Sequence, residues 1–170
     1  MWRKVNFNIE EITEKHWEEV SKIYLEGINT GKATFQTEVP TWQDWNNSHI
    51  KSCRLIVCSS TKVLGWAALS PISSRCVYAG VAEVSIYIKK EYREKGIGTA
   101  LLTNLIKFSE ENGFWTLQSV IIKENIKSID LHKKCGFRKV GIRERLGKMS
   151  NGVWHDVVLM EHRSKSVGMN

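Results

Sequence analysis

Between Glu83 and Thr99 the chain passes from strand to helix through a turn that leaves little choice about what surrounds it. Glu83-Val84-Ser85-Ile86-Tyr87-Ile88 alternates polar and apolar residues, the period of a strand. Lys89 to Tyr92 turns the chain, and Arg93-Glu94-Lys95-Gly96-Ile97-Gly98-Thr99 leads into a helix with Leu101, Leu102, Leu105 and Ile106 as its apolar set. Two glycines at that step let the backbone approach something bulky. The first N–H groups of the new helix have no partner within it and sit at the positive end of its dipole. Such a tip is an anion site suited to phosphate. Lys89, Lys90, Arg93 and Lys95 add long-range attraction.

Glycine pairs at strand-to-helix turns occur in several phosphate-binding folds, and the remaining positions separate them. A dinucleotide-binding turn needs a third glycine and an acidic residue after a second strand, and a Walker loop needs Gly-Lys-Ser/Thr. Neither pattern is present.

The rest of the chain is read from periodicity and punctuation. Arg3 to Ile9 alternates as a first strand. Thr13 is placed to cap a helix over Glu14 to Ile28, with Trp17, Val20, Ile23, Tyr24 and Ile28 on its apolar face and Gly31 at its end. Thr41 opens a short helix holding Trp42 and Trp45. Arg54–Ser59 and Val63–Ser70 read as a hairpin, and Pro71 to Gly80 as a loop. The central strand over Val81 to Lys89 follows, then the helix from Gly98 to Glu111, closed by Asn112-Gly113. Thr116–Ile122 is a strand, Ile126–Lys134 a helix stopped by Gly136, and Arg138–Leu146 and Val153–Glu161 are strands joined by a turn at 150–152. The polar tail from Arg163 is expected to fray. This order predicts an α/β (α+β) fold: a mixed, mostly antiparallel sheet of about seven strands flanked by about four helices. It forms one domain over residues 1–170, with its core at 5–161.

Composition narrows the class of function. With 25 Lys and Arg against 18 Asp and Glu, the net charge is +7. The second half carries a basic cluster of Lys133, Lys134, Arg138, Lys139, Arg143, Arg145 and Lys148. A polyanionic partner suits that field, either nucleic acid or a phosphate-rich cofactor. No basic low-complexity arm, zinc-finger pattern or RNA-binding motif accompanies it, which argues against nucleic acid. Cys53, Cys58, Cys76 and Cys135 form no Cys-x-x-Cys pair and read as free thiols of a reducing, cytoplasmic setting. No signal peptide or membrane-length apolar run is seen, and no cluster calls for a metal.

The loop Arg93-Glu94-Lys95-Gly96-Ile97-Gly98 resembles the pyrophosphate loop of the GNAT acetyltransferases, written Arg/Gln-x-x-Gly-x-Gly/Ala, and the order of elements is similar to theirs. Downstream, Asn125, Ser128, His132 and Gly136-Phe137 fall where that family places asparagine, a small residue, an aromatic acid and Gly-Phe. His132 stands where many members carry tyrosine. Phe35-x-Thr37-Glu38, Arg75-x-x-Tyr78, Ala82-Glu83, Leu131-His132 and Trp154-His155-Asp156-Val157 are similar to the phosphinothricin and methionine sulfone/sulfoximine acetyltransferase subgroup. Some of its members carry a lysine two residues before the arginine of the substrate loop. Ser73 stands there in this chain, which weakens the case for a doubly anionic substrate.

The resemblance implies transfer of acetyl from acetyl-CoA to an amine, by direct attack on the thioester, in a homodimer without metal. An α-ammonium, with a reference pKa of about 8, must first lose a proton. Glu83 is the implied base, acting directly or through a water, and His132 a second catalytic group serving as acid, base or substrate ligand. Ile86, Tyr87, Ile88, Arg93, Glu94, Lys95, Gly96, Ile97, Gly98, Thr99, Asn125 and Ser128 are expected on the cofactor, with main-chain N–H groups of Ile86 to Ile88 at the thioester oxygen. Phe35, Arg75, Tyr78, Ser85 and Trp154 are expected on the substrate, with Arg75 gripping a carboxylate. The alternatives are a polyamine or protein-amine acceptor, a silent acyl-CoA-binding module, and a basic nucleic-acid-binding domain.

Overall fold

A computed structural model describes residues 6–170. Seven strands, β1 (Asn8–Glu11), β2 (Leu55–Ser59), β3 (Lys62–Pro71), β4 (Val81–Ile88), β5 (Thr116–Ile122), β6 (Arg138–Lys148) and β7 (Trp154–Arg163), form one sheet in the order β1-β2-β3-β4-β5-β7-β6. Four α-helices, α1 (Trp17–Asn29), α2 (Trp42–Ser48), α3 (Ile97–Glu111) and α4 (Ile126–Lys134), cover it. Every neighbouring pair of strands is antiparallel except β4 and β5. The mixed α/β architecture expected from the sequence is therefore the one observed. Residues 1–5 of the expected first strand lie outside the described residues.

Local chemistry sets the boundaries. Thr41 caps α2, its hydroxyl accepting from Asp44 N at 3.2 Å. Asn125 caps α4, its Oδ1 accepting from Ser128 N at 3.4 Å, and Gly136, at φ +90, follows its end. The first helix differs from expectation in its opening turn. Glu14–His16 is a 3-10 turn behind Thr13, and regular α-helix starts at Trp17.

Helices lie on both faces of β2 and β3, so these strands are buried nearly throughout instead of alternating. On one face Leu55, Val57, Leu64, Ala67 and Leu69 meet Leu101, Leu102 and Leu105 of α3 and Ile129 of α4. On the other, Ile56, Cys58, Val63, Trp66 and Ala68 meet Val20 and Ile23 of α1 and Trp45 of α2. That second layer is strongly aromatic. Trp66 stacks on Tyr87 with ring centroids 4.9 Å apart, and Trp45 meets Trp66 edge-on at 5.6 Å. Gly27 lets α1 lie against Tyr87, since a Cβ there would stand 2.5 Å from the ring.

The tail does not fray. Ser164 is buried; its N–H donates to Trp115 O at 2.8 Å and its hydroxyl to Glu110 Oε1 at 2.7 Å. Arg163 Nη1 donates to the carbonyls of Trp115 at 3.0 Å and Val167 at 2.8 Å. Polar composition signalled exposure, but these backbone partners hold the segment in place.

Candidate active site

The site begins where the one parallel pair of strands stops. β4 and β5 pair only at Val81–Thr116, Ala82–Leu117 and Glu83–Gln118. Beyond Glu83, β4 keeps β3 as a partner, with Ser85 opposite Ala68 and Ile88 opposite Gly65, but has no strand on its other side. The two strands form a fork whose inner edge carries unpaired main chain, able to receive an extended ligand as an added strand.

A cleft of about 770 Å³ opens from this fork. Its walls include Ile86, Tyr87 and Ile88 of β4, Arg93, Glu94, Gly96, Gly98 and Thr99 of the glycine turn, and Asn125, Ser128 and Leu131 of α4. Gly96 has φ +80, a left-handed conformation that favours glycine, and α3 has no side-chain cap. Its first N–H groups are therefore left free for an anion. Gly98 faces α4; a Cβ there would lie 3.1 Å from Leu131 Cδ2, so the bare backbone keeps the wall open. Arg93 Nε donates to Ile88 O at 3.0 Å and ties the turn to the end of β4. Asn125 Oδ1 is committed to its helix cap, which leaves Nδ2 as the donor for a ligand. Tip, turn and unpaired strand together suit a diphosphate joined to an amide-bearing arm, the chemistry of coenzyme A.

A second pocket of about 290 Å³ shares Ala33, Ile86, Tyr87, Asn125 and Ser128 with the cleft. Glu83, Ser85, Phe35 and His132 line it. Glu83 accepts a hydrogen bond from Gln118 Nε2 at 3.1 Å. His132 is buried, and its Nδ1 lies 2.7 Å from Ser128 O. A carbonyl only accepts, so Nδ1 carries the proton and Nε2 holds the lone pair. Burial holds the His132 imidazole below its ordinary value, only partly opposed by the Ser128 bond, and the ring stays neutral. Nε2 has no partner. The arrangement makes His132 a proton acceptor in its resting state.

The structure leaves several expected residues elsewhere. Arg75 and Tyr78 line neither pocket; they sit in the loop before β4, the Arg75 guanidinium 5.5 Å from the Tyr78 ring. Trp154 is exposed at the start of β7, with Lys148 Nζ 5.7 Å from its ring, and lies outside both pockets too. Lys95 is exposed beside the cleft, and the Ile97 side chain is buried in the core, so only its main chain faces the anion site. Conversely, Lys32, Ala33 and Thr34 after α1, and Ser119 of β5, join the walls without having been singled out. Nothing in their local sequence marks them; the fold brings them there. No group of three or more His, Cys, Asp or Glu side chains able to hold a metal occurs among the described residues. No helix among them is long and apolar enough to cross a membrane.

Comparison with known proteins agrees with this geometry. The acetyltransferase (GNAT) family profile matches residues 10–137. The phosphinothricin N-acetyltransferase of Streptomyces viridochromogenes is 30% identical over 134 residues, covering 76% of this chain and 73% of its own. The L-methionine sulfoximine/L-methionine sulfone acetyltransferase of Pseudomonas paraeruginosa is 31% identical over 100 residues, 59% of this chain and 58% of its own. Among solved structures, a GNAT superfamily phosphinothricin acetyltransferase from Sinorhizobium meliloti in complex with acetyl-CoA superposes with a TM-score of 0.86 at 25% identity, covering 96% of this chain and 91% of that one.

Proposed function

This chain belongs to the GNAT family of acetyl-CoA-dependent N-acetyltransferases, and we propose that it acetylates the primary amine of a small amino acid or a toxic analogue of one. Methionine sulfone, methionine sulfoximine and phosphinothricin are the first candidates, after the relatives named for them. The observation that carries the reading is the shared wall. The cleft with the anion site and the pocket with Glu83 and His132 meet at Ile86, Tyr87, Asn125 and Ser128, so donor and acceptor reach one another at the fork.

The residues of the cleft fit acetyl-CoA. The Gly96–Thr99 tip holds the diphosphate, Arg93 and Lys127 add positive charge, and Asn125 Nδ2 with the open edge of β4 holds the amide-bearing arm. Acetyl-CoA supplies an electrophilic thioester carbonyl and a thiol leaving group. The protein orients the amine and moves its protons. Turning an ammonium into an amide releases two protons. Glu83 takes the first, before attack, and passes it to solvent. His132 Nε2 accepts the second as the new bond forms and hands it to the departing sulfur as the C–S bond breaks, so CoA leaves as the thiol and the imidazole returns to its neutral state. Main-chain N–H groups of Ile86 to Ile88, on the edge of β4 without a partner strand, stabilise the carbonyl oxygen on which charge builds.

A second reading keeps this chemistry and changes the acceptor. The lining of the second pocket contains Glu83 but no lysine or arginine, and Arg75 stands outside it. That favours an amine that carries no carboxylate to be gripped, such as a polyamine. A screen for CoA thiol release separates the two, using amino acids, their sulfone, sulfoximine and phosphinic analogues, and polyamines. Turnover of the sulfone or sulfoximine supports the first reading; turnover of polyamines alone replaces it with the second. Absence of thiol release with every amine removes both.

A further inference from the structure

Two buried polar atoms in the second pocket's wall have no hydrogen-bond partner among the described residues: His132 Nε2 and Ser119 Oγ. Ser119 is the first residue of β5 beyond its last pairing with β4, so it lies at the base of the fork. Its main chain is paired on the other side with Met160 of β7, which fixes where the side chain starts. Both side chains are almost fully buried, Ser119 at 1% exposure and His132 at 2%. Leaving such groups unpaired is costly, and proteins rarely do so without a use. His132 Nε2 holds a lone pair because Nδ1–H is committed to Ser128 O, so it needs a donor. Ser119 Oγ can accept as well as donate.

We propose that Ser119 binds the acceptor amine together with His132: one N–H of the incoming primary amine goes to His132 Nε2 and another to Ser119 Oγ, leaving the nitrogen lone pair for the thioester. The inference rests on the acetyltransferase reading of this pocket, and it holds for an amino-acid or a polyamine acceptor alike. The amine is the one hydrogen-bond donor that the reaction itself must bring to the fork. Neither atom has a protein partner among the described residues, and both residues line the pocket, so both atoms are available to an arriving amine. The arrangement also sets a class of substrate. A primary amine brings an N–H bond for each atom, whereas an N-methyl amine leaves one of them unpaired after its lone pair is directed at carbon.

Ser119→Ala tests this with a readout that a structural serine would not give. Deleting an unpartnered buried hydroxyl leaves nothing else unpaired, so the thermal midpoint of the free variant should rise by a few degrees. At the same time, with CoA present, L-methionine sulfone or spermidine should bind about three- to tenfold more weakly than to the wild type. The wild type should also prefer L-methionine sulfone over its N-methyl derivative by more than the variant does. In ¹⁵N-histidine NMR, the His132 Nε2 resonance of the wild type should move on adding the primary amine. A fall in midpoint on Ser119→Ala marks the hydroxyl as structural and overturns the proposal. So do equal affinities in the two proteins, or a His132 signal that neither amine moves in the wild type. Failure of the acetyltransferase reading is separate: an amine that shifts His132 through Ser119 but yields no CoA thiol keeps this inference and removes the activity.

Discussion

Glu83 and His132 line one pocket but are held in different ways, and the difference assigns their tasks. Glu83 keeps a single side-chain hydrogen bond, from Gln118, while His132 is locked by Ser128 into one tautomer. Glu83→Gln should lower kcat by about 100-fold or more, the usual loss when a general base is removed, and leave acetyl-CoA affinity by calorimetry nearly unchanged. Unaltered turnover would remove Glu83 as the base. One buried and two half-buried histidines also predict a pH dependence of stability. Desolvation by burial holds His49, His132 and His162 below their ordinary value. The unfolded chain therefore binds their protons first, near pH 6.5, and stability present above that value is lost as pH falls through it. The thermal midpoint should drop between about pH 7.5 and about pH 5.5, and less so in His132→Gln. A flat profile would contradict the burial of these rings. At this scale the sequence was informative where motif and backbone coincide, as at Gly96, Gly98 and Asn125. It was silent on Ser119, whose place in an alternating strand reads as ordinary core. It did not show that Arg75 would lie outside both pockets, because the path of a loop depends on distant contacts that local pattern does not carry.

Elements explain how the pockets keep their shape. Phe35, from the loop after α1, sets the tip of its ring against Gly147 of β6; a Cβ at that glycine would stand 2.5 Å from Phe35 Cζ. Gly147→Val should therefore push Phe35 off β6 and distort the second pocket. The expected result is a several-fold higher KM for the acceptor with an unchanged dissociation constant for acetyl-CoA, measured by steady-state kinetics and calorimetry. Equal damage to both ligands would show that the two pockets are not walled separately. The bounds of β5 and α4 were fully legible, because a run of apolar residues ends at a capping asparagine and the helix ends at a glycine. The far end of β6 was not: it runs on to Lys148 because Trp154 of β7 lies opposite, a pairing that adjacency in sequence does not state.

The whole chain carries a net charge of +7, while the cleft itself is lined by Lys32, Arg93, Lys127 and Lys134 against Glu94, Glu124 and Asp130. Attraction for a polyanionic cosubstrate thus comes from the molecule's field more than from the cleft walls. Acetyl-CoA affinity should fall several-fold as sodium chloride rises from about 0.05 to about 0.5 M, since exposed charges are screened over about 10 Å or less. A salt-independent affinity would place the binding energy in the glycine tip and the strand edge alone. The fold class was legible from the order of elements, but the sheet order was not, for β7 inserts between β5 and β6 only once all three strands are present. The three-residue seam between β4 and β5 has a mechanical meaning as well. The sheet is two wings, four strands and three, stitched at one short hem, so the wings can loosen independently until a guest laces them. Hydrogen exchange along that hem should slow on loading with CoA far more than exchange deep within either wing.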